Sequence, residues 1–207
     1  MKKSFKKLFT IALIGVMSLA LVSCKKKEII TPEQSLEVYL DIFIKRSDAN
    51  IDKIGLSKEQ FEYLLKARDK GLEEGMSNTG EVVIDEETER LVLDSINTAL
   101  TKIEYTVLDA DTNEDVSYVN VEINSIDFEA IIEETQNEII DNLDKYMELN
   151  EDELMKEIFI LMTEKLKNPP MNGRSNIITV KMNRNDNNLW EIDENGINEI
   201  VNSLLSY

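Results

Sequence analysis

The sequence predicts an α+β fold. The expected architecture is a curved antiparallel sheet of about four strands, formed as two hairpins and packed with N-terminal helices, two inserted helices and a C-terminal helix. Three observations carry this expectation. Apolar residues recur with helical period in long stretches opened by recognisable caps, whereas two pairs of short runs alternate with period two. Each pair of alternating runs is joined by turn-prone residues. Helices separate the pairs rather than the individual strands, and parallel neighbours would need a crossover after every strand, so the order favours antiparallel pairing.

The first helix opens at Thr31-Pro32-Glu33-Gln34, which combines an N-cap, a proline at the first helical position and a glutamine three residues after the cap. Leu36, Tyr39, Leu40 and Phe43 follow at helical spacing, and the helix is expected to end near Arg46. A second capping box pairs Ser57 with Gln60, and Leu56 and Phe61 are spaced as a hydrophobic staple. Phe61, Leu64, Leu65 and Ala67 mark the buried side of this helix until Gly71, Gly75 and Gly80 break the pattern. Asp85 can cap a third helix bearing Leu91, Leu93, Ile96 and Leu100.

The period then changes. Ile103, Tyr105 and Val107 alternate with polar residues, as do Val119, Val121 and Ile123, with the turn-prone Asp109 to Asp115 between them. Helical spacing returns in Phe128, Ile131, Ile132, Thr135, Ile139 and Leu143, and again in Leu154, Ile158, Leu161, Met162 and Leu166 after an Asn150 and Glu153 capping box. Asn168-Pro169-Pro170 ends that helix. Ile178 and Val180, a turn at Asn185 to Asn188, and Leu189-Trp190-Glu191-Ile192 form the second hairpin. A last helix carries Ile197, Ile200, Val201, Leu204 and Leu205.

The N-terminus has a different character. Lys2, Lys3, Lys6 and Lys7 precede the uncharged stretch Leu8 to Ser23, whose 16 residues fall short of the ~20 that a spanning helix needs. Leu21-Val22-Ser23-Cys24 closes it with the sole cysteine of the chain and resembles the lipobox of bacterial lipoprotein precursors. That resemblance implies acylation of Cys24 and removal of residues 1–23, with residues 24–30 a short basic linker and 31–207 a single α+β domain. The expected location is the extracellular face of the cell membrane, held by lipid on Cys24. Lys25, Lys26 and Lys27 could each add about 1 kcal/mol of attraction to anionic lipid, or serve equally well as a solvated linker.

Composition excludes several functions. With 41 acidic against 23 basic residues and a net charge of −18, the chain lacks the clustered cations that phosphate neutralisation needs, so nucleic-acid binding is not expected. The absence of histidine rules out Ser-His-Asp and Cys-His catalysis, and acylated Cys24 leaves no thiol for a zinc site or a disulfide. The seven glycines form no phosphate-cradling loop. No cofactor, no metal and no catalytic residue is expected.

Asp109-Ala110-Asp111-Thr112-Asn113-Glu114-Asp115 places oxygen ligands at positions 1, 3, 5 and 7 of a would-be calcium loop. Glu114 stands where that loop needs glycine and Asn120 where it needs a bidentate glutamate, so a hairpin turn is expected instead. From Asp127 to Glu157 there are 12 acids and two lysines. They read as the solvated face of the inserted helices, or alternatively as a surface for a cationic protein or peptide; charge reversal at Glu133, Glu134, Glu138 and Asp141 is expected to leave the fold intact. Trp190 is read as a core aromatic in preference to a ligand platform.

Taken together, the lipobox, Pro-Glu-x-x-Leu-x-x-Tyr-Leu at Pro32 to Leu40, Ile-x-Tyr-x-Val at Ile103 to Val107 and Leu-Trp-Glu-Ile before a terminal helix resemble uncharacterised lipoproteins of Gram-positive Firmicutes. Those proteins are similar to the nuclear transport factor 2-like (cystatin-like) group, in which helices pack on a curved antiparallel sheet. The resemblance implies no catalytic residues. The expected function is a membrane-tethered binding or interaction module, not an enzyme. Alternatives are an extracytoplasmic enzyme using carboxylates between helices and sheet, and a ligand-capturing lipoprotein that feeds a transporter.

Overall fold

A computed structural model of the chain describes residues 30–77 and 85–204. Helix α1 (Pro32–Leu40) opens on the expected capping box: Thr31 Oγ1 accepts from the Gln34 backbone N–H, and the Gln34 side chain accepts from the Thr31 N–H. The helix then widens into a π-turn (Asp41–Lys45), in which the Arg46 N–H reaches back to the Asp41 carbonyl and Arg46 takes up φ 56°. Helix α2 (Lys58–Ser77) begins at the Ser57 and Gln60 box and does not break at Gly71 or Gly75. Glycine costs about 1 kcal/mol in a helix interior, and burial of Leu72 beside Gly71 more than offsets it. Gly80 lies outside the described residues. Helix α3 (Glu86–Leu100) is capped by Asp85 and buries Val92, Leu93, Ile96, Ala99 and Leu100, whereas Leu91 is exposed.

Strands β1 (Glu104–Asn113) and β2 (Val116–Asn124) form the first hairpin. The expected turn at Asp109 to Asp115 narrows to Glu114 and Asp115, because pairing with β2 continues through Asn113 after a bulge between Val107 and Ala110. Glu114 takes φ 53°, the left-handed backbone that tight hairpin turns require. Two helices follow, α4 (Phe128–Asp141) and α6 (Glu151–Lys167), with a single-turn α5 (Leu143–Tyr146) between them. The Asn150 and Glu153 box caps α6 as expected. Strands β3 (Asn176–Arg184) and β4 (Trp190–Ile192) make the second hairpin, and α7 (Glu194–Leu204) follows. Leu205 lies outside the described residues.

The two hairpins join: β2 pairs with β3, and the order β1-β2-β3-β4 is an open antiparallel meander. Alternation places Val119, Val121, Ile123, Val180, Met182, Trp190 and Ile192 on the buried face. Tyr118, Ile177 and Thr179 are exposed. Helices α1 and α7 cover the buried face. A Cβ on Gly196 would lie 2.7 Å from the Lys181 carbonyl oxygen, so only glycine lets the first turn of α7 come this close to β3.

The inserted helices leave and rejoin the sheet at a clipped neck. Asp127 N–H donates to the Pro170 carbonyl at 2.9 Å, Asn172 N–H to the Ser125 carbonyl at 2.8 Å, and Asn172 Nδ2 to Ser125 Oγ at 2.8 Å. Helix α6 then packs on α3, and Lys156 pairs with the α3 cap Asp85 at 2.8 Å. Hydrogen bonds from Lys156 and the Thr88 backbone hold the Asp85 carboxyl down at about 2. That contribution is present above the ordinary carboxylate range and is lost as pH falls through about 2.

Candidate functional site

The corner after α1 gathers the chemically distinctive side chains. Widening the helix at Asp41 and reversing φ at Arg46 sends successive side chains in two directions. On one side, Asp41 accepts a 2.5 Å hydrogen bond from the Tyr105 hydroxyl on β1. Burial, followed by the Asp41 carboxylate, pushes the Tyr105 phenol well above its ordinary range, so it stays protonated and donates. Lys45 Nζ donates to the carbonyls of Thr101 at 2.7 Å and of Ile103, closing the end of α3. Burial lowers Lys45, with Glu104 and Asp41 pulling the other way. This half of the corner ties α1, α3 and β1 together.

On the other side, Arg46 grips Asp69 of α2 with both terminal nitrogens, at 2.8 and 3.0 Å. The same carboxylate takes a 3.1 Å hydrogen bond from Nη1 of Arg68. Arg68 is only 1% exposed, and it is the one charged residue buried among the described residues. Among the described residues its Nε and Nη2 have no hydrogen-bond partner. These two nitrogens form one edge of the guanidinium, the edge suited to two oxygens of a carboxylate or phosphate. Burial pushes the group down to about 10; Asp69 raises it and Arg46 lowers it, and it remains charged at neutral pH. Two cations therefore share one carboxylate, leaving a local excess of positive charge in a strongly acidic chain.

Arg68 was not singled out by the sequence reading, yet a signal for it exists. Phe61, Leu64, Arg68 and Leu72 fall at spacings of three, four and four, so a charge occupies the middle of an apolar stripe. One turn before Arg68, Leu56, Glu59, Gln60, Tyr63 and Leu64 line an open groove of about 430 Å³, with Tyr63 57% exposed.

The residues singled out from sequence lie elsewhere. Cys24 and linker residues 25–29 lie outside the described residues, whereas Ile30, expected to close the linker, is buried in the core. The Asp109 to Asn113 run is strand, which spreads its oxygens at about 3.3 Å per residue instead of wrapping them around an ion. Thr112 and Ser117 bond across the hairpin at 2.8 Å. The acidic segment divides: Glu138 and Glu134 approach Lys165 at 3.1 and 3.8 Å, and Glu157 approaches Lys145 at 3.6 Å. Reversing Glu134 and Glu138 would set like charges against Lys165 between α4 and α6, so those two positions bear on stability as well as on the surface. Glu133 and Asp141 are exposed and suit charge reversal. Trp190 is 1% exposed, packed where β4 meets α1, with the Arg184 guanidinium 4.6 Å from its ring centroid.

Comparison with known proteins gives two matches. The model of a family described as Domain of unknown function (DUF5105) matches residues 22–205. A crystal structure of a proposed lipoprotein (ycdA) from Bacillus subtilis subsp. subtilis strain 168, at 2.62 Å resolution, superposes with a TM-score of 0.65 at 18% identity. The likeness covers 83% of this chain and 55% of that one, so this chain spans about half of that protein's length. No curated protein matches.

Proposed function

Because the chain belongs to the family described as Domain of unknown function (DUF5105), a description that names no activity, we propose its role from its own geometry: a lipid-anchored, extracytoplasmic binding module and not an enzyme. The observation that carries this reading is the character of the interior. The core is aliphatic and aromatic, and none of the described Asp or Glu residues is buried in it. Carboxylate catalysis between helices and sheet would need at least two such groups held together in an apolar cavity.

Tethering rests on the lipobox-like Leu21 to Cys24 and is supported by the fold shared with a proposed Bacillus lipoprotein. Among the described residues, no helix is long and apolar enough to cross a membrane. Helices laid on one face of an antiparallel meander are also in keeping with a nuclear transport factor 2-like domain. A fatty-acid probe is expected to label wild type and not Cys24→Ala. Equal labelling of both would remove the anchor.

The acidic insert offers the contact surface for a cationic protein or peptide. Crosslinking in intact cells is expected to capture partners whose recovery falls with salt, because exposed charges are screened over about 8 Å at physiological ionic strength. The double change Glu133→Lys and Asp141→Lys should weaken that capture without shifting thermal stability. Identical partners with identical salt dependence would leave the acidic face a solvated surface.

A further inference from the structure

The interaction-module reading leaves one group unused. Arg68 is buried, charged and paired on one side only, while its Nε and Nη2 are sealed from solvent and have no hydrogen-bond partner among the described residues. A buried guanidinium costs several kcal/mol unless its charge and donors are matched. Asp69 supplies one shared oxygen, and it is already gripped by Arg46. What completes this arrangement is a planar pair of anionic oxygens.

The neighbouring groove indicates what such an anion would carry. Leu64 lines the groove and lies one helical turn before Arg68, so their Cβ atoms are about 5–6 Å apart. Long helical side chains lean toward the helix N-terminus, which directs Arg68 toward the Leu64 turn. Leu56, Tyr63 and Leu64 present apolar surface to the groove, with Gln60 and Glu59 as its polar members.

We infer that Arg68 and this groove form a binding site for an amphiphilic anion, a carboxylate or phosphate group on an apolar body. The anionic head meets the Nε and Nη2 edge, and the body lies along Leu56, Tyr63 and Leu64. Arg46 and Asp69 hold the guanidinium in place from its opposite edge. Because both nitrogens are sealed from solvent, a side chain must turn aside before the head reaches them, and association is slower than diffusion allows. Glu59 disfavours an anion at the groove rim and so favours the orientation with the head inward.

This inference rests on the binding-module reading and deepens it, and its test is separate from the crosslinking. Full-length chain in lipid nanodiscs is titrated calorimetrically with hexanoate, hexyl phosphate, inorganic phosphate and hexanol, with empty nanodiscs as the blank. Hexanoate or hexyl phosphate should bind saturably at one site per chain, and the stronger of the two identifies the head. Hexanol and inorganic phosphate, each lacking half of the ligand, should bind roughly tenfold or more weakly. Arg68→Met should abolish binding while the protein stays folded by thermal denaturation. Tyr63→Asp, in the exposed groove wall, should weaken binding by a similar factor. The proposal is overturned by the absence of saturable binding for both hexanoate and hexyl phosphate, by equal affinity of hexanol, or by unchanged affinity in Arg68→Met. None of those results would alter the capture of a protein partner by the acidic insert.

Discussion

Replacing Asp69 by alanine is expected to destabilise the domain by about 3 kcal/mol, and replacing Arg68 by methionine, which leaves Asp69 still paired with Arg46, to stabilise it. The opposite signs follow from one arrangement. Asp69 accepts from Arg46 at 2.8 and 3.0 Å and from Arg68 at 3.1 Å. Its removal leaves a guanidinium in the interior with no counter-charge, beside a second arginine. Methionine keeps the length and apolar stem of Arg68 but removes the charge and the two unpartnered nitrogens. Urea titration of the three proteins would resolve shifts of this size. A loss of stability in Arg68→Met comparable to that in Asp69→Ala would show that the arginine stabilises the fold, and the argument that its charge is retained for a ligand would fall.

Replacing Trp190 by alanine is expected to destabilise by about 3–5 kcal/mol. The indole heads the fully buried side chains by volume, and it belongs to a strand of only three residues, Trp190–Ile192. So short a strand depends on its side chains for its place on the sheet. The substitution opens a cavity between β4 and α1 and also removes the ring beneath Arg184, a contact of about 0.5–1 kcal/mol. Wild-type emission should be blue-shifted and should move to the red on unfolding. Unchanged thermal stability in the variant, with red-shifted emission in the folded wild type, would place the ring in solvent.

The elements that could be read from sequence are those whose signals are local. Thr31 with Gln34, Ser57 with Gln60, Asp85 and Asn150 with Glu153 all cap the helices they announce, since capping involves residues three apart in the chain. Alternation in β2 was equally plain, because one of its faces is wholly buried. Where the reading failed, distant partners decided the outcome. Asp109 to Asn113 has the composition of a turn, but pairing with Ser117 to Val119 holds most of it in a strand. Gly71 and Gly75 have the composition of a break, but α2 packs on α3 and continues. The π-turn at Asp41–Lys45 leaves no mark in composition, since Ile42, Phe43 and Ile44 fit an ordinary helix equally well. For the site, Arg68 needed attention to a charge inside an apolar stripe.

The clipped neck bears on how the domain can fold and change. Pairing β2 with β3 requires the chain to return after the whole excursion of residues 125–175, the longest connection in the sheet. The entropy of closing such an excursion depends only logarithmically on its length, so doubling it would cost about 0.6 kcal/mol more. Ser125, Asp127, Pro170 and Asn172 hold the crossing point without reference to what lies beyond it. The insert also contributes Ile131 and Leu166 to the core, so a change in its length would disturb packing there, whereas its exposed face can be recharged while the meander keeps its register. The docking of α6 on α3 would likewise have to be rebuilt after a change in length. Exposed charge on the insert is thus the property that can change at little cost to stability.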